Sequence, residues 1–189
     1  LLNLWIGTQE GLAIYNRGED NFTLIYHNNA PVQAKTACLL TDGILFAGTG
    51  LWIYSYADRQ LHSLPIINKG KAINDYFKYI KPWKKNTYVV GTQWKGVYLY
   101  HTDSHQLTPF TSCKKQHISS YFIDKQKNLW LSPYGEGMIC YDVNGQEIAR
   151  YSTQNSDLCN DIILDMLIYK DELWIATDAG GIARLNLTD

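Results

Sequence analysis

The chain has 189 residues, a length that suits one domain of ordinary size. It is 46% hydrophobic and 13% aromatic, enough to bury a core and to exclude a disordered chain. The formal net charge is −1, no basic stripe is present, and no apolar run reaches the ~18 residues of a membrane-spanning helix. Nucleic acid and anionic membrane surfaces are thereby excluded as the main partner.

Read in chain order, one pattern returns five times. Leu4-Trp5-Ile6-Gly7-Thr8 reads as a strand, Gln9-Glu10-Gly11 as a turn, and Leu12 to Tyr15 as the next strand, with an outer strand around Phe22. The second copy opens on an inner strand over Ala37–Leu40 and continues as Leu45-Phe46-Ala47-Gly48-Thr49, Gly50, Leu51, Tyr54 and Leu61. The third has an inner strand over Ile73–Ile80, then Tyr88-Val89-Val90-Gly91-Thr92, Gly96, Val97, Tyr100 and Leu107. The fourth runs from Ile118–Ile123 through Leu129-Trp130-Leu131-Ser132-Pro133 to Gly137, Met138, Tyr141 and Ile148. The fifth runs from Ile162–Ile168 through Leu173-Trp174-Ile175-Ala176-Thr177 to Gly181, Ile182 and Leu185. The central residue of the second strand (Trp5, Phe46, Val89, Trp130, Trp174) recurs at steps of 41, 43, 41 and 44 residues. That period lies in the range of propeller blades, ~40–50 residues.

Each column has a physical reading. The second strand is apolar at consecutive positions, so both of its faces are buried between neighbouring sheets. Its small residue (Gly7, Gly48, Gly91, Ser132, Ala176) lets another backbone approach closely. The glycine that follows supplies a turn of positive φ, and the tyrosine covers a seam with its ring while its hydroxyl reaches a partner. Four antiparallel strands per repeat with no helical period predict an all-β chain of five β-propeller blades, approximately 1–30, 31–68, 69–112, 113–155 and 156–189. The first copy lacks an inner strand and the fifth an outer one. The sequence lacks an initiator Met and opens inside a repeat, so it reads as an excerpt of a longer protein and as a partial, open propeller with raw apolar faces that self-associate. A closed five-bladed ring is the alternative.

The strings "LWIGTQEGLAIY", "NLWLSPYGEGMICYD" and "ELWIATDAGGIARLN" resemble the two-component regulator propeller repeat, and residues 155–177 resemble its usual lead-in. Ser132-Pro133 and the missing residues between Thr49 and Gly50 depart from the pattern. The resemblance implies the periplasmic sensor region of a hybrid two-component histidine kinase of the Bacteroidetes type. It implies glycan fragments as cues, no cofactor, and as partners the remaining blades and downstream signalling domains of the parent chain. Any kinase activity lies outside this chain.

The loops between second and third strands vary in length on a constant scaffold, which is where binding usually resides. Trp94 and Tyr134 are platforms on which a sugar ring can stack, with Lys95, Glu136, Asp178 and Glu10 as hydrogen-bonding neighbours; capping of the blade ends is the alternative. Glu10, Glu136 and Asp178 share the predicted face, which leaves a propeller carbohydrate-active enzyme as a third reading beside the non-catalytic sensor and a protein-interaction propeller. Cys38, Cys113, Cys140 and Cys159 have neither CxxC nor metal spacing and read as buried free thiols. His101 and His105 fall in a solvated turn between strands.

Overall fold

The computed structural model describes residues 4–65, 67–68, 71–73, 75–115 and 117–187. Five antiparallel sheets follow one another along the chain, with three, four, four, four and three strands. The first contains Trp5–Gly7, Leu12–Asn16 and Asn21–Leu24. The second contains Ala34–Leu39, Gly43–Gly48, Leu51–Ser55 and Leu61–Ser63. The third contains Phe77–Lys84, Thr87–Thr92, Val97–His101 and Gln106–Pro109. The fourth contains Ile118–Ile123, Leu129–Pro133, Met138–Tyr141 and Glu147–Tyr151. The fifth contains Ile163–Tyr169, Glu172–Thr177 and Gly181–Asn186. Two short hairpins, Tyr26–His27 with Ala30–Pro31 and Ile67–Asn68 with Lys71–Ala72, lie between sheets. Strand order in every sheet is sequence order, so each is a meander. Leu1–Asn3 and Asp189, which bear on the strand inventory of the end copies, lie outside the described residues, as does Asn74 of the expected Ile73–Ile80 strand.

The sheets pack face to face, and the core is the set of four seams between them. Trp5, Leu12 and Phe46 fill the first seam. Leu45, Leu51, Ile80, Val90 and Tyr98 fill the second. Trp83, Val89, Phe110, Leu129 and Leu131 fill the third, and Trp130, Met138, Leu173 and Ile175 the fourth. Both faces of the second strand are thus covered in the three middle sheets, which is why it reads there as a continuous apolar run. Full burial of one such aliphatic side chain stabilises by roughly 2 kcal/mol.

The inner strands carry a repeated β-bulge. Pairing skips Lys35, Lys78, Ser119 and Leu164, and the next residue faces a small one: Thr36 opposite Ala47, Tyr79 opposite Gly91, Ser120 opposite Ser132, Asp165 opposite Ala176. This register corrects the second copy. Its second strand matches the others as Ile44-Leu45-Phe46-Ala47-Gly48, one residue earlier than the Gly-Thr string implies. The hairpin there closes directly through Gly48 N–H to the Gly50 carbonyl, 3.0 Å. A one-residue slip exchanges the faces of a strand. Leu45 accordingly enters the second seam with 0% exposure, while Phe46 turns to the first sheet and meets Trp5 at 5.1 Å between ring centroids.

The third inner strand also differs from expectation: it begins at Phe77, not Ile73, and continues to Lys84. It passes through Pro82 because an innermost strand is a sheet edge, where a missing N–H is tolerated. The extension carries Trp83 into the third seam, where its indole N–H donates to the Lys127 carbonyl of the fourth sheet at 2.8 Å. Of the four thiols, Cys113 and Cys140 are buried and Cys38 half-buried, but Cys159 is exposed. The expected burial of Cys159 fails because it lies in the connection ahead of Ile163–Tyr169, not in a strand. His105 sits in a turn at φ +53°, its Nδ1 2.9 Å from the Tyr100 hydroxyl.

Candidate functional site

The loops between second and third strands share one end of the sheets with the connections between sheets. Gln93 N–H donates to the Tyr76 carbonyl (2.8 Å), Tyr134 N–H to the His117 carbonyl (3.0 Å), Gly137 N–H to Asp161 (2.9 Å) and Asp178 N–H to Ile162 (2.9 Å). A hydroxyl closes each of the longer loops. The side chains of Thr8, Thr92 and Thr177 donate to the carbonyls of Gly11, Gly96 and Gly181 at 2.8, 2.9 and 2.9 Å. In the fourth sheet Pro133 has no hydroxyl, and Ser132 one residue earlier donates to the Gly137 carbonyl at 2.8 Å. Gly11, Gly96, Gly137 and Gly181 hold positive φ in these loops, as their column predicts, whereas Gly50, where the second copy closes directly from Gly48, does not.

Trp94 and Tyr134 come together at the third seam, joined by a residue that sequence reasoning missed. His117, just ahead of the fourth inner strand, lies between them. Its ring centroid is 4.8 Å from Trp94 and 4.9 Å from Tyr134, and it stacks on the tyrosine with 17° between planes. Trp94 and Tyr134 are 57% and 53% exposed, so the three rings form an open ladder spanning two sheets. Its rails are fixed. Asp75 accepts the Trp94 N–H (2.9 Å) and the Tyr76 N–H (2.7 Å), and Thr92 Oγ1 accepts the Lys95 N–H (2.9 Å). Lys115 Nζ and Glu136 Oε1 form an ion pair at 2.6 Å beside Tyr134. Lys95 contributes only its backbone to this frame and leaves its side chain exposed. Glu10 and Asp178 sit on the first and fifth loops, and among the described residues neither is hydrogen-bonded or ion-paired to the ladder. The result is an exposed, pre-ordered aromatic patch with a polar rim.

Below the ladder the inner strands line an open groove of about 700 Å³. Tyr79 and Tyr121 meet there at 4.7 Å, and the Tyr79 hydroxyl donates to the Ser119 carbonyl across the third seam at 2.8 Å. Burial pushes both phenols above their ordinary titration range.

No protein-family model and no curated protein matches the chain. Solved structures do. The extracellular domain of BT4673 from B. thetaiotaomicron, described as a one component or hybrid two component system, aligns over 96% of this chain with a TM-score of 0.73 and 18% identity. The extracellular domain of BT3049 from the same organism, described as a hybrid two component system, aligns over 98% with a TM-score of 0.68 and 16% identity. The WD40 β-propeller domain of Doa1 aligns over 93% of this chain and 57% of its own length with a TM-score of 0.61 and 7% identity. The chain is a row of β-propeller blades. It spans 25% and 26% of the BT4673 and BT3049 structures. Each sheet is a blade, and the ladder joins the ends of the third and fourth blades.

Proposed function

We propose that this propeller segment is a non-catalytic, extracytoplasmic ligand-binding part of a hybrid two-component signalling protein, residing in the periplasm, and that it holds an oligosaccharide on the Trp94–His117–Tyr134 ladder. The observation that carries the reading is the ladder itself: three rings fixed by backbone hydrogen bonds, exposed on one side and bordered by Lys115 and Glu136. Flat rings offer the apolar faces of sugars a surface, and the rim offers their hydroxyls both a donor and an acceptor. The likeness to extracellular domains of two-component proteins supports the sensor role. In this reading the signal passes to domains beyond this chain, and the ladder only binds.

The test is a screen of defined oligosaccharides against the purified chain by calorimetry, followed by Trp94→Ala and Tyr134→Ala. Each truncation removes an anchor ring worth roughly 2 kcal/mol, about a thirty-fold loss of affinity. Affinity unchanged in both variants removes the ladder from the proposal. Turnover of any bound sugar replaces the sensor reading with an enzyme, and binding of polypeptides but no sugar replaces it with an interaction module.

A further inference from the structure

The middle ring of the ladder differs from its neighbours at its edge. His117 is half-buried, and its carbonyl accepts the Tyr134 N–H at 3.0 Å. Its ring stacks on Tyr134 at 17° and meets Trp94 at 46°. Among the described residues neither ring nitrogen has a hydrogen-bond or ion-pair partner, and neither is sealed from solvent, because the buried side-chain donors without a partner are the indoles of Trp52 and Trp174. Three other histidines each engage a ring nitrogen within the protein: His62 with Asp58 at 2.7 Å, His101 with Thr108 at 3.0 Å and His105 with Tyr100 at 2.9 Å. The ring of His117 is thus fixed by packing while its nitrogens stay open.

The charges around it decide what those nitrogens suit. On its own segment stand Lys114 and Lys115, on the third blade's side Lys95 and Asp75, and on the fourth blade's loop Glu136. Asp75 accepts the Tyr76 and Trp94 N–H groups through its two oxygens, and Glu136 is paired with Lys115. Neither acid is left over for His117, while the exposed side chains of Lys95 and Lys114 are unpaired among the described residues. A neutral imidazole offers one donor and one acceptor, an imidazolium two donors and a charge, and histidine exchanges these forms between about pH 5 and pH 8. Aromatic faces attract a cation, so the stack accommodates the charged ring.

We infer that His117 is the specificity-determining residue of the ladder: its ring edge bonds a ligand carboxylate, which selects an acidic oligosaccharide and couples its binding to uptake of a proton. This rests on the oligosaccharide reading of the ladder and adds the ligand's charge and the pH at which it is held.

Calorimetry on the chain as it stands compares trigalacturonate with its methyl ester, the same sugars without the charges, at about pH 5.5 and about pH 7.5. Sugar carboxylates, like an α-carboxyl group, stay ionised over this interval, so the change belongs to the protein. Wild type should bind the acid about tenfold more tightly at the lower pH and the ester equally at both. In His117→Phe, which keeps a ring in the stack, the acid's affinity should be the same at both pH values. A second measurement needs no variant. With isotope-labelled histidine, one of the five ring signals should titrate at higher pH with trigalacturonate than without it. Affinity for the acid that ignores pH, a pH dependence that survives in His117→Phe, or five unmoved titrations each overturn the inference. Binding of the ester with no preference for the acid overturns it too and leaves the ladder standing. Binding of neither sugar also overturns it, while the wider oligosaccharide screen with Trp94→Ala and Tyr134→Ala still decides the ladder itself.

Discussion

Gly91 shows what a single hydrogen atom does for a blade. The Tyr79 ring lies over it, and a Cβ at this position would come within 2.7 Å of Tyr79 Cδ2. Gly91→Ala should displace the ring from its place beside Tyr121 and cost about 1–3 kcal/mol, as overpacking does, read as a lower melting temperature in calorimetry. Asp142 offers a pH test. Its Oδ1 accepts the N–H groups of Asn144 and Gln146, both at 2.8 Å, which holds its carboxyl below the usual aspartate range. A carboxylate so depressed stabilises the fold above the unfolded-state pKa and loses that contribution as pH falls through its own. Asp142→Asn should therefore melt earlier than wild type at neutral pH, with the gap closing as pH falls below the usual aspartate range, followed by thermal melts across pH. At this scale the sequence was partly legible. The Thr of Leu-Trp-Ile-Gly-Thr was visible as a column and its role as a loop clasp was not. Trp94 and Tyr134 were visible as aromatic loop residues. His117 was not, because its neighbours come from two loops distant in sequence.

Strands were legible where periodicity or composition marked them and misread where pairing alone decided. Each full blade shows the four-strand meander, and Ile118–Ile123 is an inner strand with the expected bounds. The third inner strand runs past its apolar core through Lys81 and Pro82, residues of low strand propensity, because Trp83 beyond them fills the third seam. Trp83 is 2% exposed and meets Phe110 edge to face at 5.7 Å. Trp83→Ala should cost about 3–5 kcal/mol in urea unfolding, a loss typical of a truncated core aromatic. Trp83→Phe keeps most of the packing and forfeits the bond to Lys127, a further comparison worth about 1–2 kcal/mol. Equal losses in the two variants would assign the whole effect to the hydrogen bond.

Over the whole molecule, each core seam among the described residues joins a blade to its neighbour in the chain, so stability should be distributed as in a repeat array. Leu173→Ala opens a cavity in the fourth seam at about 2–5 kcal/mol. Hydrogen exchange should quicken in the fifth blade and along Leu129–Pro133 and Met138–Tyr141 of the fourth, while the second blade keeps its protection. Uniform loss of protection would mean that the blades unfold as one unit. The sequence by itself determined the repeat, the four-strand unit and the packing of sheet on sheet, because burying both faces of a strand demands a continuous apolar run that composition displays. Only the tertiary structure decided which face each residue takes in the second copy and which rings meet at the third seam. Those depend on register and on contacts between separate repeats, and a one-residue shift in pairing leaves the composition of a strand untouched while reversing everything it touches.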